Sequence, residues 1–562
     1  MPASTPRNSR GKSSEATLGA ALVHLLPRLA RSRRCPTWPP DLFALAARIL
    51  ERTGAHVHIV NHWPLDAGGR EGDWRAEVAL NADDWLRRLG PASRNWTRLL
   101  FGAERVRVPP PMPVLSWWAE LCEAWDTPLA MLRANERPRL LQALMGLLAV
   151  SDEVCAGVGF GARNAPFLDL ALLVLQLQQD ALSVCLEVHP SKARVLPKQH
   201  TPQRGMTLRS LSVHLALADD HDLAAVWHQF PGARARSEMH LLLLPWPLKV
   251  DASQFVIHKQ PNDHRCALPA PYGFFRFCPT IDPAIAAREV DEALERALRT
   301  VGHIDAIVLP ELALTTTAFD AVQATITARD PGMLLISGVW GRAGADRRLS
   351  NHVLVSVPTD GVDGGVFRQR VTQRKHHRWC LDRSQLEQYG LTDALDPGRL
   401  WWEHSEAAAR ELNFITVDDW LTFCPLICED LARQDPAADV IRAVGPNLVI
   451  ALLMDGPQLP SRWPGRYASI LAEDPGSSVL TLTSLGMSAR SVPKEGFVPR
   501  NRVIGLWRDA INGEKLLELP EGSDALVLSI APELREEWTA DGRRDGGIAS
   551  FPVFREMRPV PR

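Results

Sequence analysis

The sequence has little lysine, no excess of either charge, no paired cysteine spacing and no long uninterrupted apolar run. Each shortage removes a class of function. The net charge is −2 at pH 7, so no global field draws the chain to polyanions, and nucleic acid is not indicated as a partner. The 9 cysteines are odd in number and scattered from Cys35 to Cys428. Cys424 and Cys428 lie four apart, but no second ligand pair follows, so neither a disulfide framework nor a zinc site is expected. No metal or cofactor is expected, and a reduced, cytoplasmic setting fits best. The longest apolar stretch, Phe167 to Val188, is interrupted by Asp169, Gln176, Gln178, Gln179, Asp180 and Glu187, too polar to span a bilayer. Only eight lysines occur among the 63 basic residues. A lysine is therefore rarely surface filler here, which gives weight to Lys375.

What is present is enough chain for more than one core. At 562 residues, 46% hydrophobic and 23% charged, the composition is globular and the length predicts two units. The opening MPASTPRNSRGKSSEA lacks the apolar core of a secretory signal, and residues 1–16 read as a disordered tail. Residues 17–190 read as mainly helical, with apolar positions such as Leu140, Leu141, Leu144, Leu147 and Leu148 at helical spacing. One short strand is expected at His56–Val60. This half shows no phosphate loop, dinucleotide fingerprint or metal-ligand cluster, and reads as a scaffold or partner-binding domain. Residues 191–237 read as a linker with a short helix at 219–229.

From residue 238 the texture changes to short apolar runs alternating with helices. Strands are expected at Leu241–Leu244, Phe274–Cys278, Ile304–Leu309, Met333–Gly338, His352–Val357, Leu421–Ile427, Leu448–Leu453 and Val479–Ser484. An amphipathic helix is expected at Ile285–Val301. This pattern predicts a layered α/β domain over 238–562.

Three residues in this half carry chemistry. Glu311 follows the strand Ile304–Leu309 in Pro310-Glu311-Leu312, at a sheet edge where α/β folds place their sites. Cys428 follows the strand Leu421–Ile427 in Cys428-Glu429-Asp430, where freed backbone N–H groups lower a thiol's pKa and hold an oxyanion. Lys375 lies in Gln373-Arg374-Lys375-His376-His377. The bland readings are a solvated loop glutamate, a buried inert cysteine and a basic surface loop. Cys424 is the competing thiol. By strand alternation it should face the same way as Cys428, deeper in the strand.

Together these motifs resemble the nitrilase superfamily of carbon–nitrogen hydrolases over about residues 270–530. The resemblance rests on the Glu after a strand ending in Leu-Pro, the Lys in an Arg-Lys-x-His setting and the Cys-Glu-Asp, in that order and separated by 64 and 53 residues. The second separation is long, and an insertion near Trp401-Trp402 accounts for it. FFRFCPTIDPAIAAREVDEALERAL, Gly338, Asn351 and Arg466-Tyr467-Ala468 agree. Ser484 replaces the family's Asn, and NRVIGLWRDAINGEK stands where a Gly-x-Ser motif is usual.

The resemblance implies a four-layer α-β-β-α sandwich of the nitrilase type, preceded here by the mainly helical N-terminal domain. It implies Glu311 as general base, Lys375 as oxyanion cation, Cys428 as nucleophile and the backbone N–H of Glu429 as second oxyanion donor. A second acid shortly after the Lys is expected at Glu387, with Asp382 as competitor. The implied substrate is a small-molecule amide, less commonly a nitrile, and the implied assembly is a homo-oligomer. Cys-Glu-Asp resembles the glutaminase halves of NAD synthetases, but no Ser-Gly-Gly-x-Asp-Ser loop is present, and no membrane partner or membrane acyltransferase is indicated. The alternative reading is an interaction or bacterial-immunity protein. In it the N-terminal domain binds a protein partner and the nitrilase-like domain is a regulatory or effector module. A pseudoenzyme is a third reading, and the intact triad argues against it.

Overall fold

The computed structural model describes residues 16–60, 71–93, 108–157, 182–219, 223–230, 236–258, 271–343, 349–360, 366–408, 410–418, 420–491, 501–547 and 549–562. The tail expected at 1–16 falls almost wholly outside the described residues. So does most of the apolar stretch 167–188. Among the described residues no helix is long and apolar enough to cross a membrane.

The chain is an α/β structure built on two seven-stranded sheets. The first runs Val366–Arg374, Leu349–Asp360, Leu334–Arg342, Ala306–Thr315, Met239–Leu243, Ser523–Arg535, Ala549–Pro561. Its centre is parallel, with Ala306–Thr315 between Met239–Leu243 and Leu334–Arg342. The second runs Gly513–Glu518, Val503–Asp509, Ser478–Thr483, Leu448–Leu453, Leu421–Ile427, Glu411–Asp418, Ala224–Gln229. Three adjacent strands are parallel at its centre too. Central parallel strands are covered on both faces, which is why their sequences are continuous apolar runs.

Side-chain alternation sorts these runs into separate cores. Leu241, Leu243, Val308 and Ile336 of the first sheet pack with Phe423, Leu448, Ile450 and Leu482 of the second. The opposite face of the first sheet, with Leu242, Ile307 and Leu309, packs on Val290 and Leu294 of helix Pro283–Val301 and on Phe319 and Val322 of helix Thr316–Arg329. The opposite face of the second, with Cys424, Leu426 and Val449, packs on Ile441 and Val444 of helix Asp439–Val444 and Leu471 of helix Trp463–Glu473. A third, four-stranded sheet runs Cys380–Leu381, Leu400–Glu403, Tyr272–Phe277, Phe255–Ile257.

The first half behaves partly as read. Leu140, Leu141, Leu144, Leu147 and Leu148 are buried on helix Pro138–Val154, in a cluster shared with helices Leu18–Leu25 and Pro39–Thr53. The strand expected at His56–Val60 is a 3₁₀ turn, Ala55–Val60. The segment expected as a linker is corrected more deeply. It carries the paired strands Arg194–Pro197 and Leu215–Ala218. In place of a helix at 219–229 it carries Ala224–Gln229, which completes the second large sheet alongside Glu411–Asp418. Trp227 and Leu223 of this segment are buried against Phe414 and Leu412. Its polar, proline-containing sequence masked short edge strands, whose β character depends on the neighbour they pair with.

The two halves are also joined by buried charge. Asp152, at the end of helix Pro138–Val154, accepts the backbone N–H groups of Val213, His214 and Leu215. Arg543, from the segment between the last two strands of the first sheet, reaches Asp541 at 2.9 Å, Glu153 at 2.8 Å and Asp152 at 3.4 Å. Arg543→Ala leaves buried carboxylates without their cation. A stability loss of about 3–5 kcal/mol is expected, measured by chemical denaturation; a loss below about 1 kcal/mol would show the clamp to be dispensable.

Candidate active site

Glu311 does not sit past the end of its strand, as the sequence suggested. The strand continues to Thr315, and its register with Leu334–Arg342 slips between Leu309 and Leu314. Glu311 lies in this bulge, and Leu312 takes a positive φ of 56°. The bulge turns Glu311 out of the ladder, a common use of such irregularities beside active sites. Gly338 makes room for it from the neighbouring strand. A Cβ there would stand 2.4 Å from Glu311 Cα and 2.5 Å from the Pro310 carbonyl oxygen.

Cys428 ends the strand Leu421–Ile427 and opens a short turn, Cys428–Leu431. Its φ is 46°, a left-handed backbone that costs a non-glycine residue roughly 1–2 kcal/mol. This turn corrects the alternation argument about the two thiols. Cys424 and Leu426 face the helix-side core, whereas Ile427 and Cys428 pack with residues between the sheets. The left-handed residue breaks the period of two at the point where the thiol is presented.

Lys375 follows the strand Val366–Arg374 and is fully buried. Its Nζ donates to Glu311 Oε1 at 2.7 Å and to Glu403 Oε2 at 2.6 Å. Asn351 Nδ2 donates to the same two carboxylates, at 2.6 Å to Glu311 Oε1 and 2.8 Å to Glu403 Oε1. Glu403 Oε2 also accepts the Trp379 N–H at 3.1 Å. The other oxygen of Glu311, Oε2, has no hydrogen-bond partner among the described residues.

The acid paired with the cluster is therefore Glu403, and the expectation at Glu387 is corrected. Glu387 stands on the surface helix Arg383–Gln388 and pairs with Arg383 at 3.0 Å. Asp382 caps the same helix, accepting the Gln385 N–H at 2.8 Å. Glu403 was missed because it lies 28 residues after Lys375, in the stretch treated as an insertion. The parallel pairing of Leu400–Glu403 with Tyr272–Phe277 brings it in. An acid beside the conspicuous Trp401-Trp402 was the only available signal.

Asp430 ties the cysteine turn to the lysine loop. It accepts the N–H groups of His376 at 3.1 Å and His377 at 2.9 Å, and faces His377 Nδ1 at 3.0 Å. Glu429 points outward to Arg433 at 2.7 Å, leaving only its main chain for the site. Ser484 accepts the Met487 N–H at 3.0 Å and caps helix Leu485–Arg490.

Burial and charge set the proton affinities. Burial pushes the Glu311 carboxyl above the usual range, Lys375 pulls it back, and Glu403 pushes it up again. For Lys375, burial alone favours the neutral amine, but Glu311 and Glu403 outweigh it and hold the ammonium well above its ordinary value. Burial raises the Cys428 thiol well above its ordinary value; Glu311 adds to the rise and Lys375 opposes it. The expected lowering by backbone N–H groups does not prevail. Burial and the Glu311 charge therefore both favour the protonated sulfur.

No protein-family model matches the sequence, and no curated protein does. Solved structures do resemble the chain. A carbon–nitrogen hydrolase superfamily protein of Xanthomonas campestris, solved with an arsenic adduct in its active site, is 17% identical; the match covers 44% of this chain and 84% of that one, with a TM-score of 0.29. Nit3 of Saccharomyces cerevisiae, from branch 10 of the nitrilase superfamily, is 13% identical over 54% of this chain and 93% of its own, with a TM-score of 0.31. A carbon–nitrogen hydrolase of Helicobacter pylori is 13% identical over 52% and 89%, with a TM-score of 0.30. All three are nitrilase or carbon–nitrogen hydrolase superfamily structures, and each match covers about half of this chain.

Gly338→Ala tests the bulge. The added methyl meets main chain, which cannot swing away, so a stability loss of about 1–3 kcal/mol is expected. Thermal melting measures it, and an unchanged melting temperature would mean the bulge has room to spare.

Proposed function

We propose that the chain is a carbon–nitrogen hydrolase that cleaves a non-peptide C–N bond, an amide in preference to a nitrile, through a thioester on Cys428. On this reading the helix-covered pair of sheets is the four-layer α-β-β-α sandwich of the nitrilase type, and the helices of the first half form an attached domain. The observation that carries the reading is the buried Lys375 held between Glu311 and Glu403, beside a thiol presented on a left-handed turn.

The steps follow from which atoms are committed. Glu311 Oε1 takes donors from Lys375 and Asn351, so Oε2 is the oxygen left to receive a proton. A carboxyl with a raised pKa is the better base at neutral pH. Glu311 removes the Cys428 proton as sulfur attacks the carbonyl carbon. An ammonium carries three donors, and two of those on Lys375 go to carboxylates. The third, with the Glu429 N–H, would meet the tetrahedral oxyanion; losing such a donor costs about 3–4 kcal/mol of transition-state stabilisation. Glu311 then hands its proton to the departing ammonia or amine. It next takes one from water as the hydroxide attacks the thioester carbon, and returns it to the departing Cys428 sulfur as the carboxylic acid leaves.

Two experiments check this. Cys428→Ala is expected to abolish turnover across a panel of amides and to remove the mass adduct that wild-type protein forms with them. Cys424→Ala is expected to keep most activity and lose about 1 kcal/mol of stability to a small cavity. Wild-type turnover in the Cys428→Ala protein would end the proposal. The second experiment is a pH–rate profile. Because Glu311 is raised, the acid limb of kcat/KM should lie above the ordinary Glu value of about 4.3. Glu403→Gln removes a negative charge that favours the protonated form, so it should move that limb to lower pH. A limb that stays in place or moves up would separate Glu403 from the base.

A further inference from the structure

The strand beside the cysteine strand also ends in an acid that the chemistry above does not use. Leu448–Leu453 runs parallel to Leu421–Ile427, with Leu452 opposite Ile427, and Asp455 follows two residues past its end. The Cys428 turn packs against this strand. Asp455 is 6% exposed. Its Oδ1 accepts Arg462 Nη2 at 2.7 Å and the Tyr389 hydroxyl. Its main chain is fixed to Thr483, whose Oγ1 accepts the Asp455 N–H at 3.1 Å and donates to its carbonyl at 2.6 Å. Oδ2, by contrast, is buried with no hydrogen-bond partner among the described residues.

That asymmetry is built. Arg462 also reaches Ser491 Oγ at 3.3 Å, and Ser491 Oγ is held by Gln388 Nε2 at 2.7 Å. Gly456 leaves space for this approach, since a Cβ there would stand 2.6 Å from Arg462 Nη1. The donors around Asp455 are thus all directed to one oxygen, and the other is left bare. A buried carboxylate oxygen without a donor costs more than it returns unless a ligand completes it. The negative charge of Asp455 also acts on the Cys428 thiol and contributes to its raised pKa.

We propose that Asp455 is a specificity-determining residue of the Cys428 site, its free Oδ2 taking an N–H donor, preferably cationic, on the substrate. The inference rests on Cys428 being the reacting thiol and narrows the substrate class to amides bearing an ammonium, guanidinium or similar nitrogen group near the scissile bond. An anionic group in the same place would face Oδ2, the oxygen that neither Arg462 nor Tyr389 covers. Tyr389 and Arg462 are positioning residues that hold Oδ1 and thereby aim Oδ2.

The test uses the full-length protein and two thiol reagents of matched length, 2-aminoethyl methanethiosulfonate, which is cationic, and 2-sulfonatoethyl methanethiosulfonate, which is anionic. In both, sulfur of Cys428 displaces methanesulfinate and forms a mixed disulfide. Peptide mass spectrometry reads the rate at Cys428, normalised to the rate with 2-mercaptoethanol. The wild-type protein should prefer the cationic reagent by about tenfold, the order of a Coulomb preference inside a protein that a neighbouring counter-charge partly offsets. Asp455→Asn should collapse or invert the ratio, since Arg462 then lacks its counter-charge, and Asp455→Glu should retain the preference. A wild-type ratio at or below one overturns the proposal whether or not the variants fold. So does a wild-type ratio in a folded Asp455→Asn protein. If the ratios behave as stated but no amide is turned over, the hydrolase reading fails and the Asp455 subsite stands.

Discussion

The candidate site depends on one buried ammonium shared by two carboxylates. Removing an ion from water costs several kcal/mol even after relaxation, and Lys375, Glu311 and Glu403 are all essentially without solvent contact. The group is tolerable only because each charge has specific partners: Asn351 for both acids, the Trp379 N–H for Glu403, and the acids themselves for the lysine. With two negative charges around one positive, the cluster has an affinity for one further proton. The cluster also makes the local structure intolerant, because removing any member strands the others in a dry interior.

Several local features shape the strand ends that carry this group and Cys428. The bulge at Glu311 and the left-handed turn at Cys428 move these two residues off regular strands, one from each large sheet. Gly338 makes the first possible by leaving out a side chain. Asp430 supports the second, since the acid two residues after the thiol fixes the loop that begins at Lys375 by accepting its main-chain N–H groups. The third residue of Cys-Glu-Asp is therefore a tether between the cysteine turn and the lysine loop, while the Glu429 side chain turns outward to Arg433.

The first half of the chain is not an appendage on a flexible string. Ala224–Gln229 supplies an edge strand of the second large sheet, and the Asp152–Arg543 clamp joins helix Pro138–Val154 to a segment near the C-terminus. The polar look of residues 191–237 hid this, because an edge strand needs few apolar residues when one neighbour provides its pairing.

Some of this was legible in the amino-acid order alone. The apolar runs marked most central strands to within a residue or two, because strands buried on both faces leave a continuous signature. Glu311, Lys375 and Cys428 stood out because each follows such a run or sits in a lysine-poor sequence where a lysine is unusual. Glu403 and Asp455 did not; Glu403 had only the neighbouring Trp401-Trp402 to mark it, and Asp455 had no local signal. Their significance comes from strand pairing across 125 residues or more in one case, Glu403 opposite Phe275, and from a neighbouring strand end in the other. Likewise the reversal of the thiol's pKa and the separation of Cys424 from Cys428 were settled by burial and by one positive φ. Periodicity reports which residues are inside; which of them meet, and what charge they feel there, is decided when the sheets pack.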